Sequence, residues 1–90
     1  FELDDEYFPA ENRTSLRDDY EVNTTFVFAD DDEKQFNYFV NGRRESVTTR
    51  EARLSESVSE KVIQGTNSFR IEPRSDFTMT RLHVELIEQN

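Results

Sequence analysis

The chain has 90 residues, which is enough for one compact domain and too few for two. Its net charge at neutral pH is −9, and this argues against a nucleic-acid partner because phosphate binding needs a basic surface. The chain has no cysteine and no long apolar run, so we expect no disulfide framework, no thiolate metal site, no cysteine nucleophile and no membrane-spanning segment.

The first nineteen residues divide into two parts. Residues 1–8 carry four large apolar side chains, Phe1, Leu3, Tyr7 and Phe8. Residues 9–19 are polar and are predicted to be a linker or a long loop. The first part has two interpretations: it is the first strand of its own domain, or it is a donor strand that pairs with a neighbouring subunit. In the second interpretation its four apolar side chains are interface residues.

The clearest strand follows the linker. Five residues share one face at a period of two, namely Tyr20, Val22, Thr24, Phe26 and Phe28. This alternation, with aromatic and β-branched side chains, predicts a β-strand. Four acidic residues, Asp30, Asp31, Asp32 and Glu33, then predict a solvated turn.

A β-hairpin is predicted next. Phe36, Tyr38 and Val40 alternate again and are followed at once by Asn41-Gly42, the dipeptide that favours a type I′ turn. Residues 43–50 should therefore return antiparallel, with Val47 facing the core.

The second half of the chain gives a less uniform pattern. Residues 51–64 fit a helix face as well as a strand, and the all-β surroundings favour the strand. Residues 65–67 are predicted to be a turn, and residues 69–73 a short strand that stops at Pro73. A long last strand is expected, with Leu82, Val84 and Leu86 on one face.

These elements predict an all-β domain over residues 1–90, an immunoglobulin-like antiparallel β-sandwich of about six to seven strands. Residues 58–72 resemble the late hairpin of many immunoglobulin-like and carbohydrate-binding sandwiches. The chain lacks the Cys–Trp–Cys core, so an antibody-type domain is excluded.

No residue pattern indicates an active site. His83 is the only histidine, and it is predicted on the outward face of the last strand with no recognisable nucleophile beside it. The acidic turn at residues 30–33 is the best candidate for a Ca²⁺ site, because hard cations bind carboxylate oxygens. The turn lacks the ligand spacing and glycine of an EF-hand loop, so we favour a solvated turn. We expect no cofactor and no catalysis.

Two sequons, at Asn12 and Asn23, are candidate N-glycosylation sites. They favour export to the cell surface. The start at Phe1 indicates that an upstream part was removed, which is an export signal, an anchoring segment or simply the preceding part of a longer chain.

The charge composition resembles that of proteins from extreme halophiles, and an ordinary acidic domain of a mesophile is the alternative interpretation. Acidic residues number 20 and basic residues 11, and Lys34 and Lys61 are the only lysines. Molar salt screens the repulsion within such a surface. The separated apolar segment at residues 1–8 resembles the donor strands of archaeal and bacterial surface filaments.

The sequence therefore predicts a structural role. We expect a subunit of an extracellular pilus, filament, coat or virion, which contacts copies of itself or another surface subunit through strand edges. The alternatives are a carbohydrate- or ligand-binding module, for which Phe39 and Tyr7 are the candidate aromatic contacts, and an accessory domain of a larger surface protein.

Overall fold

The computed structural model describes residues 1–12 and 15–89 and is all-β apart from one turn of 3-10 helix, Asp5–Tyr7. The strands are β1 (Glu2–Leu3), β2 (Tyr20–Phe28), β3 (Lys34–Val40), β4 (Arg43–Thr49), β5 (Arg53–Ser57), β6 (Gly65–Thr66), β7 (Phe69–Pro73) and β8 (Met79–Glu88). They form three antiparallel sheets, with strand orders β1-β6, β5-β2-β8 and β4-β3-β7. The all-β prediction is confirmed.

The two three-stranded sheets pack face to face in a sandwich-like arrangement. Phe26 of β2 lies at the centre of the core, with its ring centroid 5.2 Å from that of Phe36 and 5.4 Å from that of Tyr38, both in β3. Short connections link the sheets at one end, since residues 50–52 join β4 to β5 and residues 74–78 join β7 to β8. Edge strand β5 is therefore placed beside β4, and edge strand β8 beside β7.

The two strongest sequence predictions are confirmed. In β2, the residues at positions 22, 24, 26 and 28 are buried, as the alternation requires. The turn between β3 and β4 has positive φ at both Asn41 (53°) and Gly42 (80°), the geometry of a type I′ turn. Val47 then lies opposite Phe36 and is buried.

The ambiguous stretch at residues 51–64 contains strand β5 and no helix. Strand β5 pairs with β2, and the chain then leaves the sheet and turns. Val58 and Val62 are fully buried in this turning segment. Their four-residue spacing therefore comes from two separate core contacts of a loop and not from a helix face.

The predicted turn at residues 65–67 is wrong. Gly65 and Thr66 form β6, which pairs with β1 in the register Leu3↔Gly65 and Glu2↔Thr66. Asn67 is buried and makes the turn-like contacts instead: its side-chain amide donates to the carbonyl oxygens of Ile63 and Gly65, at 2.9 and 3.1 Å. The glycine has a positive φ of 92°, which explains why the sequence signal looked like a turn.

Asn41 and Asn67 tie the β3–β4 turn to this segment. The Asn41 side-chain amide donates to the Lys61 carbonyl at 2.8 Å and to Asn67 Oδ1 at 2.9 Å. Asn41 Oδ1 accepts from the backbone N–H of Ser68 at 3.0 Å. One end of the sandwich is thus closed by amide hydrogen bonds that lie beside the buried Val58 and Val62.

Candidate functional site

The two lateral sides of the sandwich differ in chemistry, and this difference identifies the candidate site. On the side formed by β4 and β5, Arg43 and Glu45 of β4 lie opposite the core residues Val40 and Tyr38 of β3. The face of β4 that is turned towards the core therefore carries charged side chains. Lys61 forms an ion pair with Glu45 at 3.1 Å, and Arg43 donates to the Glu60 carbonyl at 2.8 Å. Charged side chains of this kind protect a sheet edge from pairing with another chain.

The opposite side, formed by β7 and β8, carries apolar side chains on both strands. Opposite residues of an antiparallel pair share a face, so the pairing of β8 with the buried residues of β2 places three apolar side chains on the core face, Leu82, Val84 and Leu86. The pairing of β7 with β3 likewise places Phe69 and Ile71 on the core face. We call these five residues the open edge.

The open edge is incompletely covered by the rest of the chain. Leu82 is 42% exposed although it faces inward, and it is the one large apolar side chain with that much exposure in the described residues. The other four members of the open edge are half-buried. Beyond β8 the described part of the chain supplies no further strand, so one row of β8 backbone groups is left without a sheet partner.

This combination has a physical consequence. An edge strand offers backbone N–H and C=O groups for pairing. An apolar face beside it stabilises an added strand through burial of apolar surface, by roughly 25 cal/mol per Å² buried. On the side formed by β4 and β5, the apolar Val47 and Leu54 share the core face with charged side chains, Arg43, Glu45 and Glu56. The open edge is therefore the surface best suited to hold another strand.

The predicted interface residues at the N-terminus lie against their own domain. Leu3 and Phe8 are buried members of the core, and Phe1 and Tyr7 are half-buried and pack against it. Backbone hydrogen bonds join Phe1 and Asn67 in both directions, at 2.7 and 2.6 Å. In this conformation residues 1–8 follow the first interpretation, as a short strand and helical turn packed on their own sandwich.

The linker predicted at residues 9–19 has no regular structure in its described residues, 9–12 and 15–19. It is not detached from the domain, because Leu16 is half-buried against the core and the Arg17 N–H donates to the Tyr7 carbonyl at 2.9 Å. The loop thus holds the N-terminal segment in place.

The acidic turn does not assemble a cation site. Among the described residues no group of three or more acidic, histidine or cysteine side chains is placed to hold a metal ion. Asp30 accepts the backbone N–H of Asp32 at 3.0 Å, and Glu33 accepts from the Gln35 side chain at 3.1 Å. These hydrogen bonds fix the local geometry of the turn.

Lys34, the buried lysine of this region, was not predicted from the sequence. Its side chain is only 1% exposed, and its ammonium group lies 3.5 Å from a carboxylate oxygen of Asp30 and 5.0 Å from the ring centroid of Phe28. It also donates to the backbone carbonyls of Asp30 and Glu51. Lys34 therefore fastens the β2–β3 turn to the segment before β5. The adjoining run of acidic residues was the one available signal.

The two sequons lie in different surroundings. Asn12 is exposed, and the rest of its sequon, Arg13-Thr14, lies outside the described residues. Asn23 lies in the middle of β2, which is the central strand of its sheet, and its Oδ1 atom is buried without a hydrogen-bond partner. A glycan at Asn23 would have to pass between the outward side chains of β5 and β8, so Asn12 is the more accessible candidate.

The candidate aromatic contacts for a ligand are already partnered. The Arg70 guanidinium lies 4.1 Å from the Phe39 ring centroid, and Tyr7 packs edge-on against Tyr20 with centroids 4.8 Å apart. His83 is exposed on the outer face of β8, 3.6 Å from Glu85, as the strand pattern predicts.

A polar cleft of about 670 Å³ lies where β2 begins and β5 ends. Its lining is of mixed charge, with Arg17 and Lys61 on one hand and Glu21 and Glu60 on the other. Burial raises the pKa of the Tyr20 phenol, and nearby carboxylates, Glu88 first, raise it further. The cleft therefore offers a neutral hydroxyl and mixed charges, without a poised base or nucleophile among these residues.

No helix within the described residues has the length and apolar character needed to cross a bilayer. Comparisons with models of known protein families, with curated proteins and with solved structures find no match to this chain.

Proposed function

We propose that the chain is a structural module of an extracellular assembly, such as a pilus, surface filament, coat or virion, and that it joins its neighbour by strand contact at the open edge. The observation that carries this proposal is the inward-facing but exposed Leu82 on an edge strand of ten residues. An uncovered apolar side chain beside unpaired strand backbone favours the addition of another strand.

We also propose that the sandwich is immunoglobulin-like, except that its last strand pairs with the other sheet. The pairings β2–β5 and β3–β7 resemble the inner pairings of the two immunoglobulin sheets. The immunoglobulin pattern would set the last strand beside β7, whereas β8 pairs with β2. Because of this different pairing, β7 and β8 are both edge strands, and their inner faces stay partly uncovered.

The charge of the chain supports assembly in concentrated salt at a cell surface. At a net charge of −9, two copies repel each other at low ionic strength. In molar salt the Debye length falls to about 3 Å, so short-range apolar and backbone contacts decide whether copies associate.

Electron microscopy and light scattering in about 3 M salt, where the Debye length is below about 3 Å, test the proposal. We expect the wild-type chain to form filaments or closed shells, and Leu82→Lys to remain dispersed. Thr48→Lys is the matched control, because Thr48 is exposed on edge strand β4, away from the open edge. Dispersed wild-type particles at every salt concentration would overturn the proposal.

The second candidate function is a carbohydrate- or ligand-binding module, and the polar cleft favours it. Hydroxyl-bearing side chains at the cleft, Ser57, Ser59 and Tyr20, are suited to hydrogen bonds with a polar ligand. A glycan array tests this candidate. Binding that is lost in Tyr20→Ala and retained in Phe39→Ala would favour the cleft, and no binding above background would remove the candidate.

A further inference from the structure

We propose that the partner at the open edge is a second copy of this chain, joined by antiparallel pairing of the two β8 strands across a two-fold axis at His83. This inference rests on the proposed function, because it names the occupant of the same edge. Symmetric dimers of this kind use one surface patch twice, so the patch must be complementary to itself.

The charges on the outer face of β8 meet this requirement. Arg81, His83 and Glu85 lie outward on alternate positions, opposite Val27, Thr25 and Asn23 of β2. If His83 pairs with its own copy, Arg81 of each strand lies opposite Glu85 of the other. Opposite charges in directly facing positions stabilise a strand pair, and like charges destabilise it.

The inner face of β8 fits the same register. Leu82 of one copy would lie opposite Val84 of the other, on both sides of the axis. The pairing would cover the exposed Leu82 side chains and join the two three-stranded sheets into one continuous sheet. Strand β8 contains neither proline nor glycine, so each of its residues can take part in the ladder.

Neighbouring registers lack this match. A shift that centres the axis on Val84 would set Arg81 opposite Ile87. A shift in the other direction, to Leu82, would set Arg81 opposite His83 and Glu85 opposite Met79. Registers whose two-fold axis falls between two residues would pair inward-facing with outward-facing positions. They would turn the apolar face of the second copy to the opposite side of the joined sheet. Burial alone is satisfied in both registers, since the register centred on Val84 would set Leu82 opposite Leu86, so charge decides for the register centred on His83.

Single-cysteine variants test the register, because the chain has no cysteine of its own. Facing residues of a strand pair have Cα atoms about 4.5–5.5 Å apart, within the range that a disulfide spans. We expect His83→Cys to form a covalent dimer after mild oxidation with oxidised glutathione. Ser55→Cys is the matched control, since it lies in the same row of the sheet on the opposite edge strand. Val84→Cys should form a covalent dimer only if the two-fold axis is centred on Val84.

Charge reversal gives an independent measurement on the chain without cysteines. Arg81→Glu and Glu85→Arg should each weaken dimerisation in sedimentation experiments, by about 5-fold for each of the two facing pairs if a pair contributes about 1 kcal/mol. The double variant Arg81→Glu/Glu85→Arg should restore it. Circular dichroism confirms that each variant is folded.

The outcomes separate the two proposals. A covalent dimer of His83→Cys with recovery in the double variant supports symmetric β8 pairing. An assembly that forms in wild type, without a His83→Cys disulfide and without charge-reversal recovery, overturns the pairing and leaves edge-mediated assembly standing. A wild-type chain that never associates overturns both.

Discussion

Asn67 shows how much of this fold depends on single buried polar side chains. It is 2% exposed, its oxygen accepts from the Ile63 N–H at 2.8 Å and from the Asn41 amide at 2.9 Å, and its amide nitrogen donates to two carbonyl oxygens. All its side-chain polar atoms are therefore partnered, which is what burial of an amide requires. No other residue type offers two donors and an acceptor in this shape.

The first prediction concerns Asn67→Asp. The carboxylate keeps the shape but faces the Ile63 and Gly65 carbonyls, to which it can no longer donate. We expect a loss of at least about 2 kcal/mol in the free energy of unfolding, because each buried carbonyl left without a donor costs about 1–3 kcal/mol. Urea unfolding measures it. Gln64→Glu is the control for an added charge, since Gln64 is exposed in the same segment of the chain. Equal losses in both variants would contradict the argument.

Tyr38 carries the second prediction, which concerns alkaline pH. Burial of its phenol raises its pKa, and Glu56, to which it is hydrogen-bonded, and Glu45 raise it further. The folded chain thus keeps a proton that the unfolded chain loses near the ordinary tyrosine pKa of about 10. The stabilisation is fully present below pH about 10 and is lost as the pH rises above it, at up to about 1.4 kcal/mol per pH unit.

The measurement is the free energy of unfolding at several pH values on both sides of about 10. Tyr38→Phe should reduce the alkaline slope, because it removes the titrating proton and keeps the ring in the core. The pKa values of Tyr7 and Tyr20 are also raised, so a part of the slope should remain in this variant. An unchanged slope in Tyr38→Phe would show that Tyr38 ionises normally.

At the scale of elements, sequence reasoning succeeded where local chemistry decides the structure. The Asn41-Gly42 turn and the alternation in β2 and β3 both follow from backbone preference and a one-sided core. It failed where distant partners decide. Gly65 and Thr66 carry turn-forming character and become a strand because β1 lies beside them. Periodicity likewise places Leu82 on a core face, but says nothing about whether another strand covers it.

The third prediction tests the N-terminal segment, residues 1–8. Phe8 is 1% exposed in the core of its own chain. Phe8→Ala should lower the free energy of unfolding of the monomer by about 3–5 kcal/mol, because it removes a buried ring and leaves a cavity. Phe39→Ala is the control, since Phe39 is half-buried on the outer face of β3 and its ring contacts Arg70.

The comparison separates the two interpretations of this segment. A donor strand that serves a neighbouring subunit would leave monomer stability nearly unchanged in Phe8→Ala and would weaken assembly instead. Chemical unfolding in dilute low-salt solution, followed by light scattering in concentrated salt, measures both quantities on one preparation.

For the whole molecule, the balance between a small aromatic core and a large negative charge decides stability. The core depends on a few rings, with Phe26 within 7 Å of four other ring centroids. Against this, 20 acidic side chains share a surface with 11 basic ones. Two of the basic residues, Lys34 and Lys61, are largely buried and are committed to contacts within the fold.

The last prediction follows from this balance. The melting temperature should rise from low salt to about 1 M KCl, where the Debye length falls to about 3 Å. Repulsion worth about 1 kcal/mol would correspond to a rise of about 4–8 °C for a domain of this size.

The double variant Asp31→Asn/Asp32→Asn, in which both residues are exposed, should melt at a higher temperature than wild type at low salt and show a smaller rise with salt. Arg44→Gln removes an exposed positive charge and should behave in the opposite way. Added salt also strengthens apolar burial, but equally in all three proteins, so the differences among them isolate the charge effect. Three parallel curves would therefore assign the salt response to burial and remove the argument from charge, whereas curves that converge at high salt would show that repulsion among the acidic side chains lowers stability at low salt.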